Sequence, residues 1–211
     1  MEKIVWGIDP GSSICGVCEL NSGLIGNCFN CEPEMVYHRI MSLCGLNSVT
    51  IVIEDISAYS KKLSDDTIET CKVIGDIRKE FQIRSPNVRI EYVARSTVRN
   101  WIFNTVPDVV IPRVIARMEY IDKQIRKKWA KEVLDGTAEP DKPPRGLRDK
   151  TGKLYAPHFK YVDDRIVIAA LKKLYNIPTP KPGKSNIFGL KDHSWQALAV
   201  CSYFFHSLDS L

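Results

Sequence analysis

The chain opens on an apolar run. Residues 3–9, KIVWGID, are rich in β-branched side chains and stop at Pro10-Gly11, the pattern of a buried strand ending in a turn. Residues 14–20 and 24–30 read as two further strands around the turn Asn21-Ser22-Gly23. A short helix suits 34–45, and VTIVIED at 49–55 is the most buried-looking strand of the chain. From 64 to 81 the apolar positions Ile68, Val73, Ile74, Ile77 and Phe81 take helical spacing. Ser64 and Thr67 offer cap chemistry there, and Asp65-Asp66 suit the helix dipole. Residues 88–93 alternate as a strand, and Ser96 is expected to cap a helix reaching about 104. A basic helix follows at 113–134, then a Pro-, Gly- and charge-rich loop, then a helix at 162–175. The stretch PTPKPGKSN reads as a stiff basic linker, and a last apolar helix starts near Lys191. Three strands able to pair antiparallel, followed by strand–helix alternation, predict an α/β fold. It is a mixed five-stranded sheet flanked by helices, in a single domain over 1–211 with a basic insertion at about 106–160.

Charge sharpens this picture. The net formal charge is +5, and residues 113–160 hold 13 Lys and Arg against 7 Asp and Glu. The basic excess is therefore concentrated in one stretch, which permits a polyanionic partner. The basic helix carries Arg117, Lys123, Arg126, Lys127, Lys128 and Lys131 outside an apolar stripe of Val114, Ile115, Met118, Ile121, Ile125 and Trp129. No apolar run reaches membrane-spanning length, no leader-like segment opens the sequence, and the seven cysteines are odd in number. The expectation is a cytoplasmic protein with free thiols and no membrane partner. Cys15-x-x-Cys18 and Cys28-x-x-Cys31 have zinc-knuckle spacing, but residues three apart on a strand face opposite sides, so small buried cysteines are the better expectation. Asp135-Gly136-Thr137 lies in a charged loop and not between strands, which argues against an ATP-binding phosphate loop.

The carboxylates carry the chemistry. Asp9 ends the first strand, and Glu54 and Asp55 end the strand 49–55. Burying an unpaired carboxylate is costly, so acids closing apolar strands call for a cation. If those strands are neighbours, Asp9 and Glu54 share the sheet edge where α/β proteins commonly bind ligands. Asp55 points to the other face and is expected to be structural. Asp192-His193 open the last helix, with Gln196 on the same broad face. Oxygen donors meeting at one edge suit Mg²⁺, and a histidine among them favours Mn²⁺.

These motifs in this order resemble those of the RuvC-type Holliday junction resolvases, of the RNase H-like superfamily. GIDPGSSICGV is similar to their first motif and IVIED to their second. KDHSWQALAV is similar to their last, in which an acid or His precedes an Asp-Ala-Leu-Ala helix by three positions. The compact, insertion-bearing form is similar to a phage or mobile-element version, which would place it in the cytoplasm of a bacterial or phage-infected cell. The resemblance implies an RNase H-like fold and a crossover junction endodeoxyribonuclease, a homodimer that cuts four-way DNA junctions by a two-metal mechanism. Asp9 and Glu54 would be catalytic metal ligands, with Asp192 or His193 completing the site. Gln196 stands where the family has Asp, which keeps a non-catalytic DNA-binding protein in view beside nucleases of flaps, forks or RNA–DNA hybrids. Contacts to the DNA backbone are expected from Tyr59, Lys61 and Lys62, from Arg95, Ser96 and Arg99, and from Lys127 and Lys128 of the basic helix.

Overall fold

The computed structural model describes residues 4–44, 49–56, 64–144, 146–149, 151–178 and 188–208. Five strands form one sheet: β1 (Ile4–Asp9), β2 (Cys15–Asn21), β3 (Leu24–Cys31), β4 (Val49–Asp55) and β5 (Arg89–Ala94). Their spatial order is β3-β2-β1-β4-β5. The first three pair antiparallel, and β4 and β5 extend the sheet parallel to β1. Ser22 and Gly23 close the β2–β3 hairpin with positive φ of 47° and 84°, the twist that a two-residue hairpin turn requires. This is the mixed five-stranded sheet that the alternation of elements predicts.

Side-chain alternation along β1 splits the core into two layers. Val5 faces one side, while Ile4, Trp6 and Ile8 face the other. The second side is covered by α1 (Val36–Cys44) and α2 (Asp65–Arg84), through Ile40, Ile77 and Phe81. Ser64 caps α2 as expected, its Oγ accepting from the Thr67 N–H at 3.2 Å. The first side is covered by α6 (His193–Leu208), apolar nearly all round and buried along most of its length. Around it pack α3 (Arg95–Thr105), α4 (Pro107–Leu134) and α5 (Asp164–Leu174).

The structure differs from the sequence reading in several places. No side chain caps α3: β5 runs into it without a loop, Ala94 is the last extended residue, and Ser96 falls inside the first turn. α4 begins six residues before the expected start, because Pro107 opens the helix and Pro112 is accommodated within it. A proline so near the start removes one backbone bond without ending the helix. Val114 and Met118 of its stripe are buried; Ile121, Ile125 and Trp129 are half-buried, and Ile115 is exposed. The segment after α4 is anchored and not simply a loop. Asp122, buried on α4, accepts from the Leu147 N–H at 2.9 Å and pairs with Arg126 and Arg148. A bridge joins Arg148 to Leu154, and a 3₁₀ turn spans Phe159–Tyr161.

The expectation that all thiols are free is corrected at Cys18 and Cys28. They are direct cross-strand partners in β2 and β3, with Cα atoms 4.1 Å apart, and are joined in a disulfide. Cys15, Cys31, Cys44 and Cys201 are free and buried, and Cys71 is free and exposed. Cys15 and Cys31 belong to the opposite layer from Cys18 and Cys28, so the four sulfurs do not converge. Most of the proline-rich linker at 178–186 lies outside the described residues, and no described helix is long and apolar enough to cross a membrane.

Candidate active site

Parallel pairing puts Ile8 opposite Ile53, so Asp9 and Glu54 stand side by side at the carboxyl ends of β1 and β4. They are the two acids of the edge that are buried, at 1% and 2% exposure. Because β5 passes straight into α3, the first helical residue, Arg95, is delivered to the same edge. Its guanidinium fills the space between the acids. Nε donates to both Glu54 oxygens at 3.0 Å, and Nη2 donates to Glu54 Oε2 at 2.6 Å and to Asp9 Oδ1 at 3.3 Å.

The other flank is built from one row of residues across three strands. Asp9 pairs with Gly16, and Gly16 pairs with Asn30, so the three share a face. α6 begins on this row. Asn30 Oδ1 accepts from the Ser194 N–H at 3.1 Å, and the Lys191 N–H donates to Ser194 Oγ at 2.8 Å, which ties the helix start to the sheet and closes its first turn. Gly16 lets the His193–Ser194 backbone lie directly on the sheet; a Cβ there would stand 2.5 Å from the Ser194 nitrogen and closer still to the His193 carbonyl. With the helix start thus fixed, His193 Nδ1 meets Asp9 Oδ2 at 2.8 Å. Asp192, one residue earlier at φ 45°, is exposed.

The electrostatics follow from burial. Loss of water pushes the Glu54 carboxyl above the usual carboxylate range, and the Asp9 charge adds to this, against the pull of Arg95. Burial disfavours the Arg95 charge, yet its Glu54 contact outweighs that and holds the guanidinium protonated. The hydrogen bond to Asp9 raises the His193 pKa.

A cleft of about 670 Å³ opens over the cluster. Asp9, Arg95 and His193 form its floor; Asp55, Asp66 and Thr70 line one wall, and Ser96, Arg99, Phe159 and Lys160 another. Phe159 and Lys160 come from the 3₁₀ turn between α4 and α5, and the sequence reading passed over them; the HFKY cluster of aromatic and cation was the available signal. Asp55, expected to be structural, is exposed at the cleft rim. Ser96 and Arg99 line the cleft, with Arg99 Nη2 on Asp164 Oδ1 at 3.2 Å. Lys127 and Lys128 are exposed on α4 and do not border the cleft, Lys128 lying 3.6 Å from Glu132. Tyr59, Lys61 and Lys62 lie outside the described residues. Gln196 is buried on the first turn of α6.

As the side chains stand, no described group of three His, Cys, Asp or Glu is arranged to hold a metal ion. The acid pair nevertheless has the chemistry for one. A carboxylate oxygen from each of Asp9 and Glu54 already bonds to a single cationic nitrogen, Arg95 Nη2, and hard oxygen donors converging on one positive charge suit a hard cation.

Two solved structures are similar over nearly the whole chain. Thermus thermophilus RuvC in complex with a Holliday junction substrate has 10% identity and a TM-score of 0.48, covering 98% of this chain and 96% of that one. A second Thermus thermophilus RuvC structure has 12% identity and a TM-score of 0.45, with the same coverage. No protein-family model matches the sequence, and no curated protein matches it.

Proposed function

We propose that this chain is a metal-dependent endonuclease that hydrolyses phosphodiester bonds in branched DNA, with four-way junctions as the first substrate. The observation that carries the reading is the pair of buried acids at the carboxyl ends of adjacent parallel strands, sharing one cation. Asp9 and Glu54 would hold Mg²⁺, or Mn²⁺ in its place, and His193 would complete the set, in preference to Asp192. Divalent cations bound there supply the charge that activates a water and stabilises the leaving oxygen. Asp9 orients the His193 ring through Nδ1, which leaves Nε2 to take a ligand or a proton. Lys160 and Arg99 present positive charge on one cleft wall, and Phe159 beside them offers an aromatic surface to an unstacked base. A homodimer would match the two-fold symmetry of a junction.

The test is cleavage of a synthetic four-way junction beside linear duplex, flap and RNA–DNA hybrid, with Mg²⁺, Mn²⁺ or EDTA. Paired nicks on the junction, lost with EDTA, are expected. A second reading, a DNA-binding protein without nuclease activity, is favoured by one observation: Arg95 already pairs with both acids. Tight junction binding without cleavage under either metal would establish that reading in place of the first.

A further inference from the structure

The Arg95 contact is built asymmetrically. The two acids sit on buried strand ends and are nearly without solvent contact, whereas the Arg95 side chain is 45% exposed and covers them from the cleft side. The acids therefore have no room to leave, and the guanidinium can withdraw without unpacking the core. Its departure would uncover two carboxylates that already converge on one point, and an unpaired buried carboxylate is strongly unfavourable. Something carrying positive charge must take the vacated place. The withdrawn guanidinium would enter the cleft beside Ser96, Arg99 and Lys160, where a phosphate is the natural partner for a planar fork of donors.

We propose that Arg95 and a divalent cation are alternative occupants of the Asp9–Glu54 pair, and that metal entry transfers the Arg95 guanidinium to a substrate phosphate. This rests on the metal-dependent reading above and adds an exchange to it. Metal binding and DNA binding then favour one another through a single side chain, as linkage requires of sites that compete for it. A permanent ion pair would instead leave Arg95 in place whatever binds, and the two ligands uncoupled through it.

The experiment is Mn²⁺ titration calorimetry on the full chain without DNA, comparing wild type with R95Q. Relief of the competition is expected to tighten Mn²⁺ binding by about tenfold or more, the size of an ordinary coupling between sites. Equal affinity in the two proteins, or weaker binding in R95Q, would overturn the exchange and leave the metal reading standing. Binding of Mn²⁺ by neither would overturn both. Should R95Q fail to fold, the wild-type protein decides by NMR. The arginine Nε–H signal of Arg95, assigned by its absence in R95K, is expected to shift on Mg²⁺ addition as its Glu54 partner is lost. A signal unmoved at saturating Mg²⁺ would overturn the exchange.

Discussion

Gly16 is a position where the fold cannot accept a side chain without moving, and Gly16→Ala tests how the site is assembled. An alanine Cβ would stand 2.5 Å from the Ser194 nitrogen and nearer still to the His193 carbonyl, both of them backbone, so no side chain can swing aside. Non-bonded heavy atoms settle at roughly 3.5–4.0 Å, so the start of α6 must retreat by about 1 Å or more. That retreat carries the His193–Asp9 hydrogen bond from 2.8 Å, and the Ser194–Asn30 bond from 3.1 Å, beyond effective range. Overpacking costs about 1–3 kcal/mol, and the lost bonds roughly 1 kcal/mol each, overlapping because one displacement breaks both. The expected loss is about 2–4 kcal/mol, or a fall of roughly 4–16 °C in Tm for a chain of this size. Urea and thermal unfolding, followed by circular dichroism and by tryptophan fluorescence, measure it. Gly75→Ala is the matched control. Gly75 lies inside α2 with nothing within 4 Å of a Cβ, and alanine there is expected to stabilise the protein by about 0.5–1 kcal/mol. A Gly16→Ala protein within about 0.5 kcal/mol of wild type would refute the claim that the helix start is held by contact with the sheet.

Asp9→Asn is expected to abolish junction cleavage while leaving junction binding and folding intact, as read by nicking, gel shift and circular dichroism; joint loss of binding and folding would show that Asp9 is structural. Asp122→Ala removes the buried anchor of the segment after α4, leaving Arg126 and the Leu147 N–H without their acceptor and Arg148 with the Gly152 carbonyl. A loss of about 2–3 kcal/mol is expected, together with faster tryptic cleavage at Arg148. Lys160→Ala is expected to weaken junction binding and lower the slope of log K against log salt by about one, with Mn²⁺ affinity unchanged; an unaltered slope would take Lys160 off the phosphate path.

The parts of the fold that sequence made legible are those where one residue's burial speaks for itself. β1 and β4 are apolar strands that stop at an acid, and that alone placed Asp9 and Glu54 at a sheet edge. What stayed hidden depended on register or on junction geometry. Gly16 and Asn30 look ordinary along the chain; only the pairing Asp9–Gly16–Asn30 shows that they seat α6. The contact of His193, and not Asp192, with Asp9 depends on the backbone at the helix start, where Asp192 has a positive φ that no pattern of residue types encodes. Arg95 read as a phosphate contact because it stands with Ser96 and Arg99 at a helix start; that β5 runs straight into α3 and brings it onto Asp9 and Glu54 is not visible in the sequence. Pro112 hides the first turns of α4, and nothing in a basic helix marks Asp122 as the residue on which the following segment folds back.

The identity of residue 95 follows from the shape of its task. Glu54 is held by Nε and Nη2 together, and the same Nη2 reaches Asp9, so one guanidinium spans two carboxylates on separate strands. A lysine ammonium is a point charge on a flexible stem and offers no such fork. Two buried carboxylates against one guanidinium still leave a negative charge at the bottom of the cleft, and the Asp9 contact raises the affinity of His193 for a proton. The protein alone thus brings the edge near neutrality without filling it with apolar packing. An arrangement made only for stability has a simpler solution, since well-packed apolar residues often equal or exceed a buried ion pair. Retaining the acids, and covering them with a cation that is half exposed, is the arrangement expected where the charge must be uncovered and used.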